Sequence, residues 1–368
     1  MSTGSFLHKS RDMEECKDME LKPNGEVLRW AREYQRKSET EVARSVGVPV
    51  EKIRAWEEGE TTIYTTNLNK LANIYQRPVS FFFLPHAPEE RLVTPEFRTF
   101  DSIEVSQLSQ ETINALRKTK YNRKQYVELL ESLNEPYKFR FPTVSVDTDP
   151  EAFANKVRSV LKVPADVHKK IRDKNVALKH WISLIEEQGV LIFQYSLDER
   201  GFCLHGEEGL PPVIVLSSGE EPAGRVFTIF HELAHLLIKN DASRLSYTKL
   251  EKFCNHFAGA FLVPEKILVE SRIFKSFLID RSDFWLQRLA GEFKVSQDVI
   301  LRRLLILHKI DHKYFDEKFK ELQLSRERRR KKKEEKQDEK DGFLDHGRKA
   351  FMNTGITMTS KLFDAYER

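Results

Sequence analysis

Apolar positions recur at intervals of three and four along most of this chain, which predicts helices; strand-like runs appear only between Val190 and Leu216. The first amphipathic helix is predicted over Gly25–Arg32, with Val27, Leu28 and Ala31 on its buried side. Ser38 then caps a short helix, Glu41 completes a capping box, and Gly47 turns the chain into a second short helix, Val48–Glu57, ended by Glu58 and Gly59. Helix, tight turn, second helix is a plan whose second member would lie in a DNA major groove. Phe81, Phe82 and Phe83 cannot all be exposed, so their segment is expected to staple this small domain to the next part of the chain. A long charged helix near Ser109–Leu133, with Ile113, Leu116, Tyr126, Leu129 and Leu130 as its apolar spacing, reads as a connector.

A new unit starts near Asp147. It holds a helix through Phe153, Val157 and Leu161 and a second from Val176 to Gln188, closed by Gly189. Three strands come next, at Val190–Tyr195, Gly201–His205 and Pro212–Leu216. The last runs through Pro222 into an apolar helix around Phe227–Ile238. An open edge on that strand would hold an extended peptide by strand addition; an ordinary sheet edge is the alternative. Phe284–Leu304 again reads helix, turn, helix, either a buttress or a second DNA reader through Arg302 and Arg303. From Asp311 to Asp341 the chain is nearly all charge, a solvated helix or a basic cluster at Arg326–Lys333 for nucleic acid. Phe351, Leu362 and Phe363 suggest a short docking helix near the end.

The expected fold class is α+β and mostly helical. Its parts are a flexible tail at 1–20, an all-α helix-turn-helix domain at 21–85, a helical connector at 86–144, a domain with a small sheet at 145–310, a charged helix at 311–341 and a C-terminal tail at 342–368. A chain of 368 residues has material for two or three cored domains. The net charge of +4 is too slight to argue nucleic-acid binding by itself. Cys16, Cys203 and Cys254 are few and scattered, so no disulfide framework is implied and a cytoplasmic location is expected. The N-terminus resembles neither a signal nor a transit peptide, and no apolar run is long enough to cross a membrane.

The helix at 227–238 carries His231, Glu232 and His235. Residues four apart share a helix face, so both imidazoles can address one divalent ion. Glu232 sits one residue further round, beside the ion, where the general base for a water must stand. The alternative is a buried helix with two satisfied histidines. Catalytic zinc needs a third protein ligand; Glu251 on the next helix fits, with Asn255 four residues on to hold a ligand histidine from behind. His256 and Cys254 are the rivals. His256 falls roughly 140° round the helix from Glu251, so both cannot serve, and Cys254 is flanked by core residues. The expected reaction is peptide-bond hydrolysis with Zn2+ as cofactor and Glu232 as catalytic base, and with Tyr247 or His205 as oxyanion donor. In the N-terminal domain Glu51, Lys52, Arg54 and Ala55 are the exposed positions for double-stranded DNA. Glu39 would weaken phosphate contacts, which leaves a role in protein contacts as the alternative.

Residues 24–76 resemble the XRE/Cro-type helix-turn-helix domain through Val42-Ala43, Val46-Gly47-Val48, Ile53, Trp56-Glu57-x-Gly59 and Leu71-Ala72. Glu39 stands where that family often has a Gln. Residues from about 145 to 310 resemble the ImmA/IrrE zinc metallopeptidases. The stretches are Arg200-Gly-Phe, Pro212-Val-Ile-Val, Phe227-Thr-x-x-His-Glu-x-x-His and Glu251-x-x-x-Asn-x-Phe-Ala-x-x-x-Leu-x-Pro. The resemblance implies a zincin-like domain with zinc on His231, His235 and Glu251 and catalysis through Glu232. Departures are Ser217-Ser218, where an Asn is common, and Cys254, where an Ala is usual; neither removes a ligand. It also implies bacterial, phage or mobile-element regulation in which a repressor or antitoxin-type protein is the substrate. A homodimer is the candidate assembly. The rival expectation is a DNA-binding regulator whose metalloprotein domain senses a ligand or partner without proteolysis.

Overall fold

The computed structural model describes residues 18–88, 108–207, 209–238, 246–337 and 352–367, in two compact units that divide after residue 91. The tail expected at 1–20 lies outside the described residues as far as 17, but Asp18–Leu21 are part of the first unit. There β1 (Glu20–Leu21) pairs antiparallel with β2 (Ile63–Tyr64), and Asp18 accepts from Thr66 N at 2.9 Å.

The first unit packs α1 (Gly25–Tyr34), α2 (Glu39–Val46), α3 (Val50–Glu57) and α4 (Thr65–Ile74) around Val27, Leu28, Val42, Val46, Ile53, Trp56 and Leu71. The capping box at Ser38 and Glu41 is formed, and Gly47 turns the chain at φ 84°, a left-handed conformation that costs glycine little. Glu57 is buried because Arg32 grips it bidentately at 2.7 and 2.9 Å. Of the three consecutive phenylalanines, Phe82 is fully buried in this unit's own core, and Phe81 packs on Trp30 with Arg77 over its ring.

In the second unit α5 (Gln110–Ser132), capped by Ser109, packs on β3 (Leu191–Tyr195) and β5 (Val213–Ser217). It is no free connector. Arg123, 2% exposed at its middle, donates to the carbonyls of Pro211 at 2.7 Å and His205 at 2.6 Å, satisfying a turn that would otherwise be left open. The sheet runs β3-β5-β4, with β4 (Gly201–Leu204) antiparallel and β3 parallel to the central β5. The strand that leads into the His231-bearing helix is therefore flanked on both sides and cannot accept a peptide, which corrects the open-edge expectation. Gly201 lets β4 close in: a Cβ there would lie 2.5 Å from Val215 O and 2.7 Å from Thr228 Cγ2.

Behind the sheet lie α6 (Pro150–Val160), α7 (Lys174–Glu186), α8 (Pro222–Leu237) and α9 (Tyr247–Leu262). The core centres on α8: Phe230 stacks on Phe261 at 4.0 Å and Trp181 meets both edge-on at 5.2 and 5.5 Å. Next come α10 (Glu265–Glu270), α11 (Arg272–Ile279), α12 (Asp283–Phe293) and α13 (Gln297–Ile306). Arg303 of α13 is fully buried; it donates to Val263 O at 2.8 Å and pairs with Glu151. A side chain so enclosed cannot read DNA; Arg302 beside it is exposed, and the apolar faces of α12 and α13 pack into the domain core through Leu286, Leu289, Ile300 and Leu304. The charged helix α14 (His312–Gln337) lays Tyr314, Phe315 and Leu322 on this core. After it, α15 (Ile356–Glu367) docks on α5 and α7, with the buried Glu186 carboxylate accepting from Thr357 N at 3.1 Å and Thr357 Oγ1 at 2.9 Å. No helix among the described residues is long and apolar enough to cross a membrane.

Candidate metal centre

The helix α8 is apolar almost all round and enclosed by its neighbours, so its few polar side chains are buried with it: His235 is 2% and Glu232 3% exposed. His231 and His235, one turn apart, bring their Nε2 atoms to 3.2 Å. From the second turn of α9, Glu251 places Oε2 at 3.4 Å from His231 Nε2 and Oε1 at 3.1 Å from His235 Nε2. Donors about 2.05 Å from a tetrahedral zinc stand roughly 3.3 Å from one another. The two Glu251 distances are to different oxygens of one carboxylate. Taken with one donor atom from each residue, the three lie within 4.8 Å of one another, and the set of two imidazoles and a carboxylate suits such an ion. Among the described residues this trio is the one group of His, Cys, Asp or Glu donors close enough to share a cation. His235 is closed off, whereas the side chains of His231 and Glu251 keep 14% and 23% of their surface, so approach is from their side.

Burial lowers the pKa of His231. Burial would also lower that of His235, but Cys254 and Glu251 beside it outweigh this and raise it. Glu251 is likewise raised by burial and pulled below its ordinary value by the two histidines. Asn255 stands against His231 and Cys254 against His235, closely enough to act on both rings, although neither Nδ1 has a partner of normal hydrogen-bond geometry among the described residues.

The other expected positions divide. Tyr247, 47% exposed one turn before Glu251, has its phenol raised by burial and by the charges of Glu251 and Glu232, which places it at the rim. His205 comes just after β4; its carbonyl accepts from Arg123, and it is not in the group around the ion position. His256 is taken up elsewhere, its Nε2 2.9 Å from Glu151 Oε1. Burial would raise the Glu151 pKa, but hydrogen bonds from His256 and Arg303 hold it at about 2. Nothing local in the sequence marked this tie, since its members lie 105 and 152 residues from Glu151.

In the first unit Glu51 and Lys52 are exposed, Lys52 lying over Trp56 at 5.8 Å, and Ala55 is half-buried. Arg54 is tied to Glu39 at 2.6 Å. Residues 18–88 carry ten basic and ten acidic side chains, so this unit has no positive excess for a phosphate backbone.

Residues 185–305 match the family model described as the IrrE N-terminal-like domain, Peptidase_M78, of the ImmA/IrrE family. The matched span runs from the end of α7 through α8 and α9 into α13 and contains all three donors and Glu232. It supports a metallopeptidase-type function for this region. No curated protein matches the chain.

Proposed function

We propose that the chain is a zinc-dependent endopeptidase of zincin-like architecture, with His231, His235 and Glu251 as metal ligands and Glu232 as general base. The observation that carries this reading is the convergence of the His231 and His235 Nε2 atoms, 3.2 Å apart, on the two oxygens of the Glu251 carboxylate at 3.4 and 3.1 Å, with a further carboxylate on the residue after His231. A bound zinc ion supplies Lewis-acid polarisation of a carbonyl and a water acidified to a pKa of about 7. Glu232 takes the attacking water's proton and delivers it to the leaving amine. The Tyr247 phenol, at the rim, donates to the carbonyl oxygen as negative charge develops there. Burial of Glu232 and His235 keeps competing water away from the base. The substrate class, as the ImmA/IrrE resemblance implies, is a repressor or antitoxin-type protein.

For the XRE/Cro-like first unit, the Glu39–Arg54 pair and the balanced charge favour contacts with protein over tight binding of double-stranded DNA. The rival role of a non-proteolytic sensor has no use for Glu232 at its position. The test is zinc analysis of the purified chain, then incubation with denatured proteins and identification of new N-termini by mass spectrometry. Glu232→Gln is expected to keep its zinc and lose about 10²- to 10⁴-fold in rate. Undiminished cleavage by that variant would refute the assignment.

A further inference from the structure

Two helical turns before His231, the same face of α8 borders a small pocket lined by Arg200, Glu220, Phe227, Asp298, Arg302 and Arg326. Phe227 is the wall between it and the metal centre, its ring 6.1 Å from that of His231. Four separate segments meet there: the residue before β4, the start of α8, the first turn of α13, and α14. Gly224 leaves room for the Glu220 carboxylate, whose Oε1 would lie 2.4 Å from a Cβ there and would have to swing aside. A water-sized group can be centred in about 30 Å3 of the pocket, room for one carboxylate head group and little more.

The charges do not balance. Arg326 pairs with Asp298, and Arg200 faces Glu220 at 3.6 Å. Arg302 has no ion pair among the described residues; its guanidinium rests over Phe319 at 4.8 Å and Phe315 at 6.0 Å. Burial and the like charges of Arg200 and Arg326 lower its pKa, while Asp298 opposes them. Arg302 is exposed on its open side, so three guanidinium groups face the pocket against two carboxylates, and an incoming oxyanion has an unpaired cation to meet. Asp298 is 6% exposed and its Oδ1 is buried with no hydrogen-bond partner, which leaves a place for one N–H donor.

We infer that this pocket is a substrate subsite that takes an acidic side chain of the bound polypeptide, the carboxylate seated on Arg302 and Arg200 and a neighbouring main-chain N–H turned to Asp298. Seven residues of α8 separate Gly224 from His231, a rise of roughly 10 Å, which an extended chain covers in about three residues. The selected Glu or Asp therefore lies within about three residues of the scissile bond. The ligand's being a substrate rests on the peptidase reading; the binding chemistry does not.

The test uses the full chain stripped of zinc with a chelator, so that a peptide carboxylate cannot bind the metal instead. Two Ala/Ser peptides of 11 residues, identical except for a central Glu or Gln, are titrated calorimetrically at low salt. The Glu peptide is expected to bind about tenfold more tightly. Arg302→Gln and Arg200→Gln should each erase that preference, while Arg172→Gln, on an exposed side chain elsewhere, should keep it. Arg200 is itself largely exposed, so its variant keeps the test decisive if loss of Arg302 disturbs α14. Equal affinities for the two peptides, including binding of neither, would overturn the inference, as would a preference that survives both substitutions. A surviving preference in wild type without any Glu232-dependent hydrolysis would remove the peptidase reading and leave the pocket; hydrolysis without the preference would do the reverse.

Discussion

Replacing Glu151 by Ala tests how the helices that carry the candidate metal ligands are held. Glu151, in the first turn of α6, receives both terminal nitrogens of Arg303 and the His256 ring, and Arg303 also grips Val263 O just past α9. Arg303 is fully buried, so removing the carboxylate leaves a guanidinium with neither water nor counter-charge. Breaking such a pair by losing one partner costs about 3–5 kcal/mol. The Glu151 side chain itself is 31% exposed, and screening there argues for the lower end, about 3 kcal/mol. For a unit of this size that is a fall in Tm of roughly 6–12 °C. Thermal unfolding followed by near-ultraviolet circular dichroism measures it. Glu151→Gln, which keeps an acceptor and loses the charge, should fall by about half as much, and zinc content should be unchanged in both. The folded pKa of about 2 lies below the ordinary 4.5. The stabilisation is therefore complete above about pH 4.5 and is lost as pH falls toward 2. A Tm within about 2 °C of wild type for Glu151→Ala would show that Arg303 finds other partners, and would end the argument that this tie anchors α9.

Three further outcomes are expected. Glu251→Gln should weaken zinc binding by at least about 10²-fold in a chelator competition, since loss even of a residue that merely supports a ligand costs about 10- to 100-fold; near-native affinity would mean that another side chain is the third ligand. Glu39→Gln should free Arg54, and binding to duplex DNA at low salt should tighten with a salt slope steeper by about 0.9; an unchanged titration would show that the Glu39–Arg54 pair is not what limits that surface. Burial lifts Glu186 to about 7, against an ordinary 4.5, despite its hydrogen bonds from Thr357 and Ile192. The folded chain therefore keeps a proton that the unfolded chain gives up between about pH 4.5 and 7, and stability should decline with rising pH across that window. Glu186→Gln should flatten the decline in urea midpoints measured between pH 5 and 8, and a parallel decline in the variant would contradict the role given to Glu186.

The local chemistry of this chain is legible because it is carried by neighbours along helices. The His231, Glu232, His235 spacing follows from helical periodicity alone, as do the Ser38–Glu41 capping box and the left-handed turn at Gly47. Glu251 could be chosen over His256 because five residues turn a helix too far for both to face one point, and His256 does bond elsewhere. Other features depend on pairings that no periodicity encodes. That β5 is the central strand, and not an open edge, is decided by which strand pairs with which, and its pattern of apolar residues is the same in either place. The charged helix at 110–132 reads as a connector in sequence, yet Arg123 reaches two carbonyls more than eighty residues away.

Sequence by itself determined the helices and the two-histidine face, since each depends on residues within a turn or two of one another. Tertiary structure alone decided the third donor's actual distance, the Glu151–Arg303 anchor and the unbalanced charge beside Phe227. Those depend on where separate segments come to rest when the core around Phe230 and Phe261 closes, and packing of that kind sums many weak contacts that leave no mark at any single position.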